Sequence, residues 1–193
     1  MGLSRIRSSE DPVTCLNRRV GKQQSRVLFV TGTVGAGKTT TAYAVGDLLR
    51  ERGVPHAVLD LDEFHRLWPP PQGDPFKQEV ELANLRAVAT NYRKAGATYL
   101  LLAGVVVRDR ARYEAALGEP ILLCRLRPPL DRVTMRLTGR HEPGDERDWH
   151  VRRAPQLDAM LDEAGSADLT IDLDEETPAQ VAARVLAATG FVE

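Results

Sequence analysis

Four consecutive apolar residues, Val27-Leu28-Phe29-Val30, run into Gly32-Thr33-Val34-Gly35-Ala36-Gly37-Lys38-Thr39, and this junction limits the possible folds more than any other stretch. An unbroken apolar run leaves no face for water, so it reads as a strand covered on both sides in a parallel sheet. The glycines of G-x-x-x-x-G-K-T let the backbone curl until successive N–H groups point inward at an anion. A helix starting at Lys38 adds the favourable field of its N-terminus. Lys38 is placed to reach the β and γ oxygens of a bound triphosphate, and the Thr39 hydroxyl to ligate Mg2+. The pattern assigns Gly32, Thr33, Val34, Gly35, Ala36, Gly37, Lys38, Thr39 and Thr40 to a nucleotide site, with ATP and Mg2+ as its ligands. In an empty site the lysine is expected to point into solvent.

Further apolar runs predict strands at Ala57 to Leu61, Tyr99 to Val107, Ile121 to Leu126 and Leu169 to Leu173. Helices are expected from Lys38 to Arg52, over 79–95, from Asp109 to Leu117 and from Leu130 to Thr138. A last helix opens at the capping box Thr177-Pro178-Ala179-Gln180 and stops at Gly190. Strands alternating with helices predict an α/β domain of three layers. It is a P-loop NTPase-type fold, with a five-stranded parallel sheet, helices on both faces and a mobile lid. Residues 1–24 carry several arginines without an apolar period and read as a flexible basic arm ahead of a domain over 25–193.

Asp60-Leu61-Asp62 closes the second strand, where alternation places both carboxylates on the same side, about 7 Å apart. Opposite a triphosphate, one acid can hold Mg2+ while the other accepts a proton from an attacking hydroxyl. Phe64, Trp68 and Phe76 flank the proline-rich insert at Pro69-Pro70-Pro71 and read as a pocket for an acceptor with an apolar or planar part. Arg132, Arg136 and Arg140 recur at four-residue spacing ahead of the polar stretch from Gly139 to Asp148. The lid is therefore placed at about 139–153, with Arg147, Arg152 and Arg153 as further candidates. His56, His141 and His150 have no metal-ligand spacing in the sequence.

With these motifs the chain resembles, over about 26–190, the small P-loop kinases of the shikimate, gluconate and adenylylsulfate kinase type, including antibiotic phosphotransferases of that fold. The resemblance rests on the P-loop and on Asp60-Leu61-Asp62 with Arg66 shortly after. Asn84-Leu85-Arg86, Ala95-Gly96-Ala97 and Pro129-Leu130 add to it. It implies Asp62 as the base for a substrate hydroxyl and Asp60 as a Mg2+-side residue, with Thr39. Lys38, Arg136 and Arg140 would act on the transferred phosphate, and Arg66, Phe64 and Trp68 with Asp62 on the acceptor. No Asp or Glu ends the third apolar run, where many P-loop proteins carry one.

The composition excludes other classes. With 26 Lys+Arg against 27 Asp+Glu the net charge is −1, and no global field marks a nucleic-acid or membrane protein. Cys15 and Cys124 form no C-x-x-C, and no long apolar stretch occurs, so a cytoplasmic setting without a membrane span is expected. The partner expected is a small-molecule acceptor, the chain being a monomer or homodimer. Two alternatives remain open: a kinase of nucleic-acid 5′ ends, and a regulatory NTPase acting through partner binding.

Overall fold

The computed structural model describes residues 26–191, so the basic arm over 1–24 lies outside the described residues. Strands β1 (Val27–Gly32), β2 (His56–Asp60), β3 (Tyr99–Ala103), β4 (Leu122–Arg127) and β5 (Leu169–Asp172) form one sheet in the order β2-β3-β1-β4-β5. Every neighbouring pair is parallel. Six helices join and cover them: α1 (Lys38–Glu51), α2 (Gln78–Lys94), α3 (Arg110–Leu117), α4 (Leu130–Arg140), α5 (Asp145–Ala164) and α6 (Pro178–Thr189).

The apolar run of β1 divides by parity. Leu28 and Val30 enter a core with Val45 and Leu49 of α1 and Val185 and Leu186 of α6. Val27 and Phe29 enter the opposite core with Leu85 of α2 and Tyr113 of α3, where Phe29 and Tyr113 meet edge to face at 5.3 Å. Both faces of the strand are dry, so a polar residue at any of these positions would be buried without a partner. Thr177 caps α6 through the expected box with Gln180.

β1 lies between β3 and β4, where the strand order reverses, and the crevice beyond its C-terminal end is the natural ligand position in such a sheet. Gly32 makes the turn out of β1 possible. Its φ is 153°, and a Cβ there would stand 2.7 Å from the Leu126 carbonyl oxygen of β4. No side chain fits.

Three boundaries depart from expectation. β3 ends at Ala103 rather than Val107. Beyond it the Gly104 N–H bonds the Val30 carbonyl at 3.2 Å and the Val106 N–H bonds the Thr31 hydroxyl at 3.1 Å, so the chain turns away from the ladder. Val106 is still buried, so the apolar stretch reported burial rather than strand. The second strand stops at Asp60, and Leu61–Glu63 is a single 3₁₀ turn. Finally, most of 139–148 is helical: α4 extends to Arg140, α5 begins at Asp145, and only 141–144 breaks them. Asp145, Glu146 and Asp148 sit in the first turn of α5, where negative charge offsets the exposed N–H groups.

Candidate active site

The loop between β1 and α1 has the backbone that anion binding needs. Gly35 and Gly37 have φ of 75° and 94°, in the region that glycine enters without strain. The Ala36 N–H closes a turn onto the Thr33 carbonyl at 3.2 Å. Lys38 does not point into solvent as expected. Its Nζ donates to the Thr33 carbonyl at 3.1 Å, across the loop it belongs to. Burial pushes the Lys38 amine below its ordinary pKa, while the charges of Asp62 and Asp60 work against that shift. A desolvated cation flanked by acids is poised to exchange a carbonyl for phosphate oxygens.

Asp60 and Asp62 reach the site by a turn, not by strand alternation. The Thr39 hydroxyl donates to Asp60 Oδ2 at 2.9 Å, and the Asp62 backbone N–H donates to Asp60 Oδ1 at 3.1 Å. One carboxylate thus ties α1 to the end of β2 and also caps the 3₁₀ turn that carries the other. Leu61 is buried against Gly104, where a Cβ would come within 3.0 Å of it. The glycine after β3 therefore provides room for the Asp60–Asp62 turn.

The third wall comes from α4 and α5. Val34 of the loop and Val151 of α5 pack on a cluster of Val133 and Leu137 of α4 and Ala154 of α5. The Thr33 hydroxyl donates to the Ala154 carbonyl at 2.6 Å. Arg136 lies beside the loop, its Nη1 4.0 Å from where a Cβ on Gly37 would be. Arg140 is the last residue of α4. Arg132 turns elsewhere, pairing with Glu175 at 2.8 Å and Asp174 at 3.3 Å in the loop after β5.

Arg125 of β4 carries a role that the sequence reading missed. It is 4% exposed and binds Asp158 at 2.8 Å and Asp162 at 2.7 Å, fastening α5 to the sheet. A charged residue inside the run Ile121 to Leu126 was the available signal. Replacing Arg125 by methionine is expected to cost about 3 kcal/mol, because two carboxylates lose a buried partner. A urea midpoint unchanged from wild type would contradict this. Its neighbour Cys124 is inert at neutral pH, since burial pushes the thiol up to about 12.

On the acceptor side the three aromatics separate. Phe64 packs on the core beneath α2 and α3, whereas Trp68 and Phe76 are 87% and 85% exposed. Arg66 pairs with Glu63 at 2.9 Å in the open, a contact of little strength. Behind them lies a polar cluster that spacing did not reveal. Buried Glu81 of α2 accepts the Tyr113 hydroxyl at 2.7 Å and meets His65 Nδ1 at 3.1 Å, while Asn84 donates to the Phe64 carbonyl at 2.7 Å. These bonds hold the segment after Asp62 onto α2. The histidines also differ from expectation, because the break between α4 and α5 brings His141 and His150 together around Glu146.

The sequence profile of the adenylylsulphate kinase family matches residues 24–115, just under half of the chain. The fold is shared with solved kinases along most of its length. The Mycobacterium tuberculosis APS kinase, solved with AMPPNP and APS, is 18% identical with a TM-score of 0.57, covering 88% of this chain and 99% of its own. Part of the chain thus matches the adenylylsulphate kinase profile, and most of its length has the fold of the small P-loop kinases. The Deinococcus radiodurans tunicamycin resistance protein is similar to this chain at 24% identity and TM-score 0.58, over 86% of this chain and 96% of its own. Shikimate kinase from Acinetobacter baumannii, solved with shikimate, shares 18% identity at TM-score 0.53, over 91% and 95%. No curated protein sequence matches the chain significantly. No helix among its described residues is long and apolar enough to cross a membrane.

Proposed function

We propose that this chain is a kinase that transfers the γ-phosphoryl group of ATP to a hydroxyl of a small-molecule acceptor, with Asp62 as the base. One observation carries the reading: the Thr39 hydroxyl is bonded to Asp60 at 2.9 Å, while Asp62, two residues on, adds its charge to that of Asp60 around Lys38. Nucleotide binding alone needs only the loop. A second carboxylate held opposite its lysine is what transfer to a hydroxyl requires. AMPPNP and shikimate in the structural neighbours are in keeping with a nucleotide and a hydroxylated acceptor.

The Thr39 hydroxyl and Asp60 carboxylate form an all-oxygen pair already in contact, a donor set that fits hard Mg2+. Bound there, Mg2+ would supply neutralisation of the phosphate charge. The chain's own groups do the rest. Loop N–H groups and Lys38 hold the phosphates, and Asp62 orients the acceptor hydroxyl and takes its proton. Arg136 and Arg140 bring positive charge from α4. Arg66, Phe64 and Trp68 would contact the acceptor once the exposed segment around Trp68 folds against it.

The deciding experiment follows ADP release from ATP against hydroxylated metabolites, nucleosides, antibiotics and an oligonucleotide with a free 5′-hydroxyl. Stimulation by a small molecule supports the proposal. Stimulation by the oligonucleotide alone favours an end kinase, and none at all a regulatory NTPase. The lid reading has its own test. Adding AMPPNP and Mg2+ is expected to slow amide exchange over 139–153 at least about tenfold, as a closing arginine segment requires. Exchange unchanged at saturation would remove the lid.

A further inference from the structure

His141, Glu146 and His150 take no part in the proposed transfer, yet the fold gathers them. His141 follows the last residue of α4, Glu146 lies in the first turn of α5, and His150 is one turn further along the same face. His141 Nδ1 stands 3.7 Å and His150 Nε2 3.8 Å from the same oxygen, Glu146 Oε1. One ligand atom from each residue lies within 4.8 Å of the others. The two imidazole rings stack at 4.6 Å and 25°, and Trp149 closes on His150 edge to face at 4.9 Å.

Neither carboxylate–imidazole distance is a hydrogen bond, so the three groups converge without bonding one another. The other ring nitrogen of His150, Nδ1, is buried with no hydrogen-bond partner among the described residues, so Nε2 is the nitrogen that faces Glu146 and Nδ1 the one left for a water or ring rotation to satisfy. Two imidazoles and one carboxylate are the donors that Zn2+ and its neighbours in the first transition row prefer, unlike the oxygen-only pair at Thr39. Metal–ligand bonds of about 2.0–2.2 Å in a tetrahedron put ligand atoms roughly 3.4 Å apart. The separations of 3.7 and 3.8 Å to Glu146 lie close to that spacing, and the two imidazole nitrogens, within 4.8 Å of each other, would close to it by side-chain rotation.

We propose that His141, Glu146 and His150 form a binding site for a transition-metal cation of the Zn2+ class. It staples the end of α4 to the start of α5 and leaves one coordination position for water. The site is independent of the nucleotide loop and holds whether or not the acceptor assignment does.

The test uses the full chain, stripped with a chelator and free of nucleotide. Titration with Zn2+ in a calorimeter is expected to give one equivalent per chain. Co2+ is expected to give the strong visible absorption of a tetrahedral centre. Glu146 is 78% exposed at its side chain, so Glu146→Gln should fold normally, and it should weaken both metals at least about tenfold. His141→Ala and His150→Ala should weaken them about 100-fold or more. Zn2+ should slow amide exchange over 141–150 in the wild type and not in Glu146→Gln. Absence of one-to-one saturable binding in the wild type overturns the site. Binding that Glu146→Gln leaves undiminished overturns it equally, even if the histidine variants fail to fold.

Discussion

Replacing Lys38 by alanine is expected to weaken ATP by about 100-fold or more while leaving adenosine almost unaffected. A charge-assisted bond to phosphate contributes about 1.5–3 kcal/mol, which is one to two decades in affinity. The site adds to that loss. Asp60 and Asp62 both act on the Lys38 amine, so removing it leaves two carboxylates facing a polyanion with their nearest compensating charge gone. Folding should survive. Among the described residues the side-chain hydrogen bond lost is the one to the Thr33 carbonyl, and alanine is an excellent residue for the first turn of α1. Calorimetry with both ligands checks the claim, and an equal loss for ATP and adenosine would count against the phosphate assignment.

Asp62→Asn is expected to lower kcat by about 10²–10⁴ with ATP affinity nearly intact. Phosphoryl transfer runs through a loose transition state, so positioning and fixed charge supply most of the acceleration, and the base takes its proton late. Asparagine keeps the size of the side chain and removes only its basicity. Its backbone N–H still bonds Asp60 Oδ1, so the 3₁₀ turn should persist. Asp60→Asn separates the two roles, because its amide oxygen can still cap the turn but is a poorer partner for a hydrated cation. That variant should raise the Mg2+ requirement instead. Near-normal turnover of Asp62→Asn on the true acceptor would sink the assignment, and His65, held against Glu81, would become the next base to test.

Much of the fold was legible because its signals are local. A strand dry on both faces must be apolar, and β1 was legible for that reason; β2 and β4, which also carry His56, Asp60 and Arg125, still appeared within a residue of their bounds because most of their side chains are apolar. The nucleotide loop was legible because glycines at fixed spacing have few other uses, and Gly32, Gly35 and Gly37 all have positive φ. The Thr177 capping box is complete within four residues. Local signals also misled where burial had another source. Val105 to Val107 looked like more of β3, but only Val106 of this segment is buried, just past the glycine that packs on Leu61.

What the tertiary structure alone decided depends on partners far apart in sequence. Thr33 finds Ala154, Arg125 finds Asp158 and Asp162, and Arg132 finds Asp174 and Glu175 after β5. His141 and His150 meet at Glu146 because α5 starts only five residues after α4 ends. Periodicity shows which face of an element is dry, but not which element lies across from it. The amino-acid sequence determined the sheet and the glycine-rich loop, and it singled out Asp60 and Asp62. The order of the strands determined which side chains from α4 and α5 stand beside that loop, since packing alone sets distances between residues that no local bond connects.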